Sequence, residues 1–154
     1  MPTEIERKFL VNGTSWKRES TGELFRQGYL VTDKERTVRV RVVGEEGFLT
    51  IKGPSRGIAR AEYEYRIPAR EADEMLGTLC LQPLIEKYRY RIEHAGLVWE
   101  VDEFLGENQG LILAEVELAD ERQRIPLPDW AGEEVSHDPR YYNANLVRHP
   151  FSKW

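Results

Sequence analysis

Glu4-Ile5-Glu6-Arg7-Lys8-Phe9-Leu10-Val11 and Thr37-Val38-Arg39-Val40-Arg41-Val42 decide the fold. In each run the side chains alternate, with charge on every second position. A period of two places those charges on one face of a strand. The same alternation returns in Leu49-Thr50-Ile51-Lys52, Arg60-Ala61-Glu62-Tyr63-Glu64-Tyr65-Arg66 and Lys87-Tyr88-Arg89-Tyr90-Arg91-Ile92. It returns again in Val98-Trp99-Glu100-Val101-Asp102 and Glu115-Val116-Glu117-Leu118. Phe25 to Val31 reads as an eighth strand. Gly44-Glu45-Glu46-Gly47, His94-Ala95-Gly96 and Gly106-Glu107-Asn108-Gln109-Gly110 read as turns between them.

Helical spacing occurs once with force, at Ala72, Met75, Leu76 and Leu79, behind an acidic first turn of Glu71, Asp73 and Glu74. Shorter helices are expected near Asp120 to Gln123 and Ala144 to Val147. With no linker or repeat in 154 residues, one domain is expected over 1–154.

The charged fraction is 32%, against about 25% in an average protein. Net charge is −5, which speaks against a nucleic-acid partner recognised through its phosphates. Cys80 is the only cysteine, so an internal disulfide framework is excluded. The start, Met1-Pro2-Thr3-Glu4, has no apolar leader, and no apolar run approaches membrane-spanning length. A cytoplasmic protein with no membrane partner is expected. His94, His137 and His149 fit no metal spacing and read as surface residues. Cys80 and the four tryptophans read as packing residues.

An ordinary sheet with one wet face would carry a mixture of neutral polar residues. Here the polar face is almost wholly Glu, Asp, Arg and Lys, grouped by sign: Glu4 with Glu6, Glu62 with Glu64, Glu115 with Glu117, Arg39 with Arg41, Lys87 with Arg89. Like charges at i and i+2 make sense where an ion lies between them. Eight strands suffice to close a barrel around a small ligand. The expectation is a mainly β, α+β fold: an eight-stranded antiparallel closed tunnel barrel with a charged lumen and a few covering helices. Carboxylates hold hard cations, while Arg and Lys hold phosphate oxygens. The face therefore suits a metal and a polyphosphate together.

Glu4-x-Glu6-x-Lys8 resembles the E-x-E-x-K signature of the CYTH superfamily, the triphosphate tunnel metalloenzymes. The ordered set that follows extends the resemblance over nearly the whole chain: Arg39-x-Arg41, Lys52, Arg60-x-Glu62-x-Glu64, Lys87-x-Arg89-Tyr90, Glu100-x-Asp102 and Glu115-x-Glu117. With Arg26 to Leu30, it looks most similar to the small bacterial branch that hydrolyses inorganic tripolyphosphate. The resemblance implies metal-dependent hydrolysis of a triphosphate inside the tunnel, with Mg²⁺, or Mn²⁺, as cofactor. It implies that Glu4, Glu6, Glu115 and Glu117 hold metal. Lys8, Arg39, Arg41, Lys52, Lys87 and Arg89 would cradle phosphate. Glu62, Glu64 and Asp102 would orient these groups or serve a second metal.

Lys52 with Tyr29 is the candidate pair for water activation or leaving-group protonation; the alternative for Tyr29 is outward packing. The expected partner is tripolyphosphate or an organic triphosphate. Apolar outer faces leave a homodimer open. Rival readings are another CYTH activity, namely thiamine or nucleoside triphosphatase or adenylate cyclase, and a non-catalytic polyphosphate-binding module. The tail, from Pro139, is expected either to plug one tunnel mouth or to brace the outer face.

Overall fold

The computed structural model describes residues 2–154. Among the described residues the eight runs and one further segment form nine strands: β1 (Thr3–Val11), β2 (Glu23–Thr32), β3 (Thr37–Val43), β4 (Glu46–Lys52), β5 (Ala59–Ile67), β6 (Ile85–His94), β7 (Leu97–Phe104), β8 (Ile112–Glu117) and β9 (Ala131–Glu134). The sheet runs β5-β4-β3-β2-β6-β7-β8-β1-β9, and β1 also pairs with β5, which closes the barrel. Every ladder is antiparallel. The closing seam is short: Thr3, Glu4 and Ile5 face Ala61, Arg60 and Ala59. Beyond it β1 leaves β5 and takes β9 as its neighbour, with Phe9 opposite Glu134 and Val11 opposite Ala131.

β9 is the strand that alternation did not reveal, because Ala131-Gly132-Glu133-Glu134 holds no β-branched or aromatic residue. The helix expected near Asp120 to Gln123 is instead a turn. The Asp120 carboxylate accepts from the Arg122 amide at 2.7 Å, and the Gln123 side chain accepts from the Ala119 amide at 2.8 Å. Such local bonds compete with helix formation.

Closure turns the apolar strand faces outward, where they need cover. Helix α1 (Ala69–Thr78) lays Ala72 and Leu76 on Val40, with Cys80 completing that cluster. Gly28 allows this approach, since a Cβ there would stand 2.8 Å from the Cys80 Cβ and from a Leu84 methyl. On the opposite wall Trp16 and Trp130 cover Phe9, Ile92, Trp99, Val101 and Val116. The Trp99 ring lies 5.4 Å from Phe9 and 5.5 Å from Trp130.

The third cluster lies on the inner face. Tyr29, Ile85, Phe104 and Leu113 share strand parity with Gln27, Lys87, Asp102 and Glu115. They are covered by Tyr141, Leu146 and Val147, the last two from helix α2 (Asn143–Arg148). The tail therefore plugs one end of the lumen. No helix among the described residues is long and apolar enough to cross a membrane.

Leu146 is fully buried in the plug. Leu146→Ala should lower unfolding free energy by about 2–5 kcal/mol in urea denaturation. A loss below about 1 kcal/mol would mean that the tail does not pack as described.

Candidate functional site: a charged barrel lumen

Strand parity and register assemble the middle of the lumen. Arg89 stands opposite Asp102 on the β6–β7 ladder. Asp102 is fully buried and accepts from Arg89 Nε at 2.7 Å, Arg89 Nη2 at 2.9 Å and Lys87 Nζ at 2.8 Å. One carboxylate thus serves two cations. Burial opposes its ionisation, but Arg89 and Lys87 hold it below the ordinary aspartate range. Burial, with Arg89 and Arg41 adding to it, pushes Lys87 down to about 7 against the pull of Asp102. Lys8 donates to the Tyr141 carbonyl at 3.2 Å and lies 3.7 Å from Glu115. Burial works against the Glu115 charge, yet Lys8, Arg89 and Lys87 keep its carboxyl well below the usual range.

The arginines of β3 have only neutral partners. Arg39 Nη2 donates to Thr50 Oγ1 at 3.1 Å, and its buried Nε has no partner. Arg41 Nε donates to Gln27 Oε1 at 2.9 Å. Burial and the neighbouring Arg39 and Arg89 pull Arg41 below the ordinary arginine range, but a guanidinium stays charged at neutral pH. The Phe25 ring sits 4.8 Å from both the Arg41 and Arg89 guanidinium carbons. Among the described residues, the buried charged side chains are four cations, Lys8, Arg39, Lys87 and Arg89, against two acids, Asp102 and Glu115. The middle of the lumen carries a surplus of positive charge.

Acids dominate where β1, β4, β5 and β8 meet. Lys52 Nζ lies 3.0 Å from both Glu4 oxygens and 3.3 Å from Glu62. Glu4 and Glu62 are close enough to share a proton, as are Glu6 and Glu115. Burial, then Glu4, raises Glu62 to about 7. Burial, then Glu115 and Glu4, raises Glu6 well above the normal range. Glu117 faces Glu6 across the β1–β8 ladder and is exposed at the rim. No three acidic, histidine or cysteine side chains among the described residues already converge as a finished metal cage. The acids nonetheless fit a hard divalent cation. They are all oxygen donors, and they crowd until protons or the Lys52 ammonium supply the positive charge they lack.

The structure thus brings Lys8, Arg39, Lys87, Arg89, Asp102 and Glu115 into one buried group, with half-buried Arg41 at its edge and Glu4, Glu6, Lys52 and Glu62 beside it. Glu64 lies on the same face, opposite Thr50, but is exposed. Tyr29 points inward rather than outward, into the plugged end. It stands opposite Arg39 on the β2–β3 ladder, with Lys8 and Arg41 also near, and no hydrogen bond among the described residues joins it to Lys52. Sequence reasoning missed Phe25, Gln27, Thr50 and Asn143. The first three were reachable by parity, since they alternate in step with Tyr29 and Lys52. Asn143 carries no signal in its own segment.

Fold and site together define a tunnel barrel whose cationic middle is flanked by a carboxylate cluster. The CYTH domain matches residues 2–149, and the chain belongs to the CYTH family. It is 54% identical to an inorganic triphosphatase of Acetivibrio thermocellus, over 100% of this chain and 99% of that protein. It is 40% identical to an inorganic triphosphatase of Nitrosomonas europaea, over 94% and 97% of the two chains. A crystal structure of an inorganic triphosphatase superposes with a TM-score of 0.67 at 39% identity, covering 96% of this chain and 95% of that one. A conserved hypothetical protein from Pyrococcus furiosus shares the fold at a TM-score of 0.60 and 20% identity, over 77% and 80% of the chains.

Glu62 binds its proton more tightly when folded than when unfolded. Its protonated form adds stability below the ordinary value of 4.5, and that contribution is lost as pH climbs through about 7. In metal-free buffer, Glu62→Gln should therefore gain Tm relative to wild type between pH 4.5 and 7.5. A constant gap across that range would show that Glu62 titrates normally.

Proposed function

We propose that the chain hydrolyses inorganic tripolyphosphate to pyrophosphate and phosphate with the help of a divalent cation. The observation that carries this reading is the surplus of buried positive charge in a closed lumen. Burial without a partner is costly for a cation, and a small polyanion is the partner that would relieve it. Near-full-length similarity to two proteins named inorganic triphosphatase supports the same substrate.

Phosphoryl transfer depends mainly on positioning and charge neutralisation. Lys8, Arg39, Arg41, Lys87 and Arg89 would hold the phosphate chain, with the unpartnered Arg39 Nε a ready donor. Glu4, Glu6, Glu115 and Glu117 would hold Mg²⁺ or Mn²⁺, with Glu62, Glu64 and Asp102 orienting the site or serving a second ion. A bound divalent ion would neutralise chain oxygens and lower the pKa of the attacking water. Water would form a bond to the terminal phosphorus while the bridging P–O bond breaks, with pyrophosphate leaving. Lys52 is retained for leaving-group protonation, because an ammonium held by Glu4 and Glu62 can give a proton to the departing pyrophosphate oxygen, while the proton lost by the attacking water would pass to solvent. Tyr29, beside Lys8 and Arg41, would bear on the phosphates rather than on Lys52.

Purified protein with Mg²⁺ should release phosphate from tripolyphosphate, and EDTA should abolish the release. Glu4→Gln and Glu117→Gln should each reduce turnover by at least the roughly 10–100-fold seen when a group that merely supports a metal ligand is lost. Wild-type turnover in both variants would refute the metal assignment, and intact tripolyphosphate after incubation would refute the hydrolase reading. ATP and thiamine triphosphate in the same assay rank the organic alternatives.

A further inference from the structure

Two neutral side chains link Lys87 to Arg41, two lumen cations that no single carboxylate bridges among the described residues. Lys87 Nζ donates to Asn143 Oδ1 at 2.9 Å. Gln27 Nε2 donates to that same oxygen at 3.2 Å. Gln27 Oε1 in turn accepts from Arg41 Nε at 2.9 Å. The cations at the two ends determine both amide orientations. Lysine and arginine only donate, so an amide oxygen must face each of them. The amide nitrogen of Gln27 is then left for Asn143. Gln27 is fully buried, so this chain of bonds runs inside the barrel.

The chemistry of the bridge is unusual for its place. Arg89 and Lys52 are held by carboxylates, which orient a cation and cancel its charge at once. Lys87 shares Asp102 with Arg89, which already donates two hydrogen bonds to that carboxylate. Arg41 has no carboxylate partner among the described residues. An amide oxygen fixes the direction of an N–H while leaving the positive charge in place.

We propose that Gln27 and Asn143 are positioning residues: a neutral amide bridge that orients Arg41 and Lys87 toward the lumen without adding negative charge to either, which favours a polyphosphate there. The inference rests on the function proposed above. It also gives the tail a task beyond closing the barrel, because Asn143 opens α2 and reaches Lys87 from the plug. An isosteric carboxylate at Asn143 keeps both acceptor bonds and adds negative charge, while one at Gln27 keeps the bond from Arg41 but loses the one to Asn143. Geometry and ligand affinity should then part company.

Calorimetric titration of tripolyphosphate into metal-free protein, beside Tm and turnover with Mg²⁺, tests this. Wild type should bind. Asn143→Asp, which keeps both acceptor bonds and adds an ion pair, should keep or raise Tm yet weaken binding by about tenfold or more, and Gln27→Glu, which loses its bond to Asn143, should weaken binding by more than its change in Tm accounts for. A merely structural role predicts that affinity follows Tm. Wild-type affinity in both variants would overturn the inference, as would a marked loss of Tm in both. Wild type that turns over tripolyphosphate with Mg²⁺ but does not bind it without metal would also overturn it, leaving the function intact. Wild type that neither binds nor hydrolyses would remove the function and the inference with it.

Discussion

Closing the sheet deprives most of one face of bulk water, and the charges buried there must then find partners inside. A unit charge loses several kcal/mol of hydration on burial, and attraction to a counter-ion repays this only in good geometry. The lumen meets that demand unevenly. Asp102 is ringed by Arg89 and Lys87, and Lys52 by Glu4 and Glu62. The β3 arginines receive only a threonine hydroxyl and a glutamine oxygen. The unevenness divides the lumen into a middle that wants an anion and a neighbouring cluster that wants a cation. Ligand chemistry is thus written in what folding leaves uncompensated.

The same constraint explains the covers outside. Barrel closure inverts the usual arrangement, so the apolar strand faces must be shielded from solvent by other elements. Helix α1 shields Val40, while Trp16 and Trp130 shield the Phe9 and Trp99 wall. The tail does something different. It supplies apolar side chains to one end of the lumen and polar atoms to its floor: the Tyr141 carbonyl for Lys8 and the Asn143 oxygen for Lys87. Both lysines are therefore anchored from behind by consecutive turns of one segment. Each also lies against a lumen carboxylate, Lys87 at 2.8 Å from Asp102 and Lys8 at 3.7 Å from Glu115.

Much of this was legible in alternation alone. Arg39 and Arg41, or Glu4, Glu6 and Lys8, identify their own common face because strand geometry repeats every two residues. What alternation cannot show is which faces meet across a barrel. Glu4 reaches Lys52 and Glu62 through the β1–β5 closure, a contact between distant parts of the sequence. Tyr29 and Lys52 share a face but not a neighbourhood, since the apolar plug claims one and the acids claim the other. β9 was hidden by its glycine and its brevity.

The residues hardest to read were the neutral ones. A charged side chain in a strand announces itself, because burying it demands a reason. Gln27, Thr50 and Asn143 raise no such alarm, yet they are the partners that orient lumen cations without adding negative charge. A lumen paired throughout by carboxylates would be electrically satisfied and would have little left to offer an anion. One filled only with cations would repel itself. Neutral acceptors resolve the conflict: they satisfy the hydrogen-bonding needs of buried donors without satisfying their charge. In a site selected to bind charge, the amides and hydroxyls therefore carry as much information as the ions they hold.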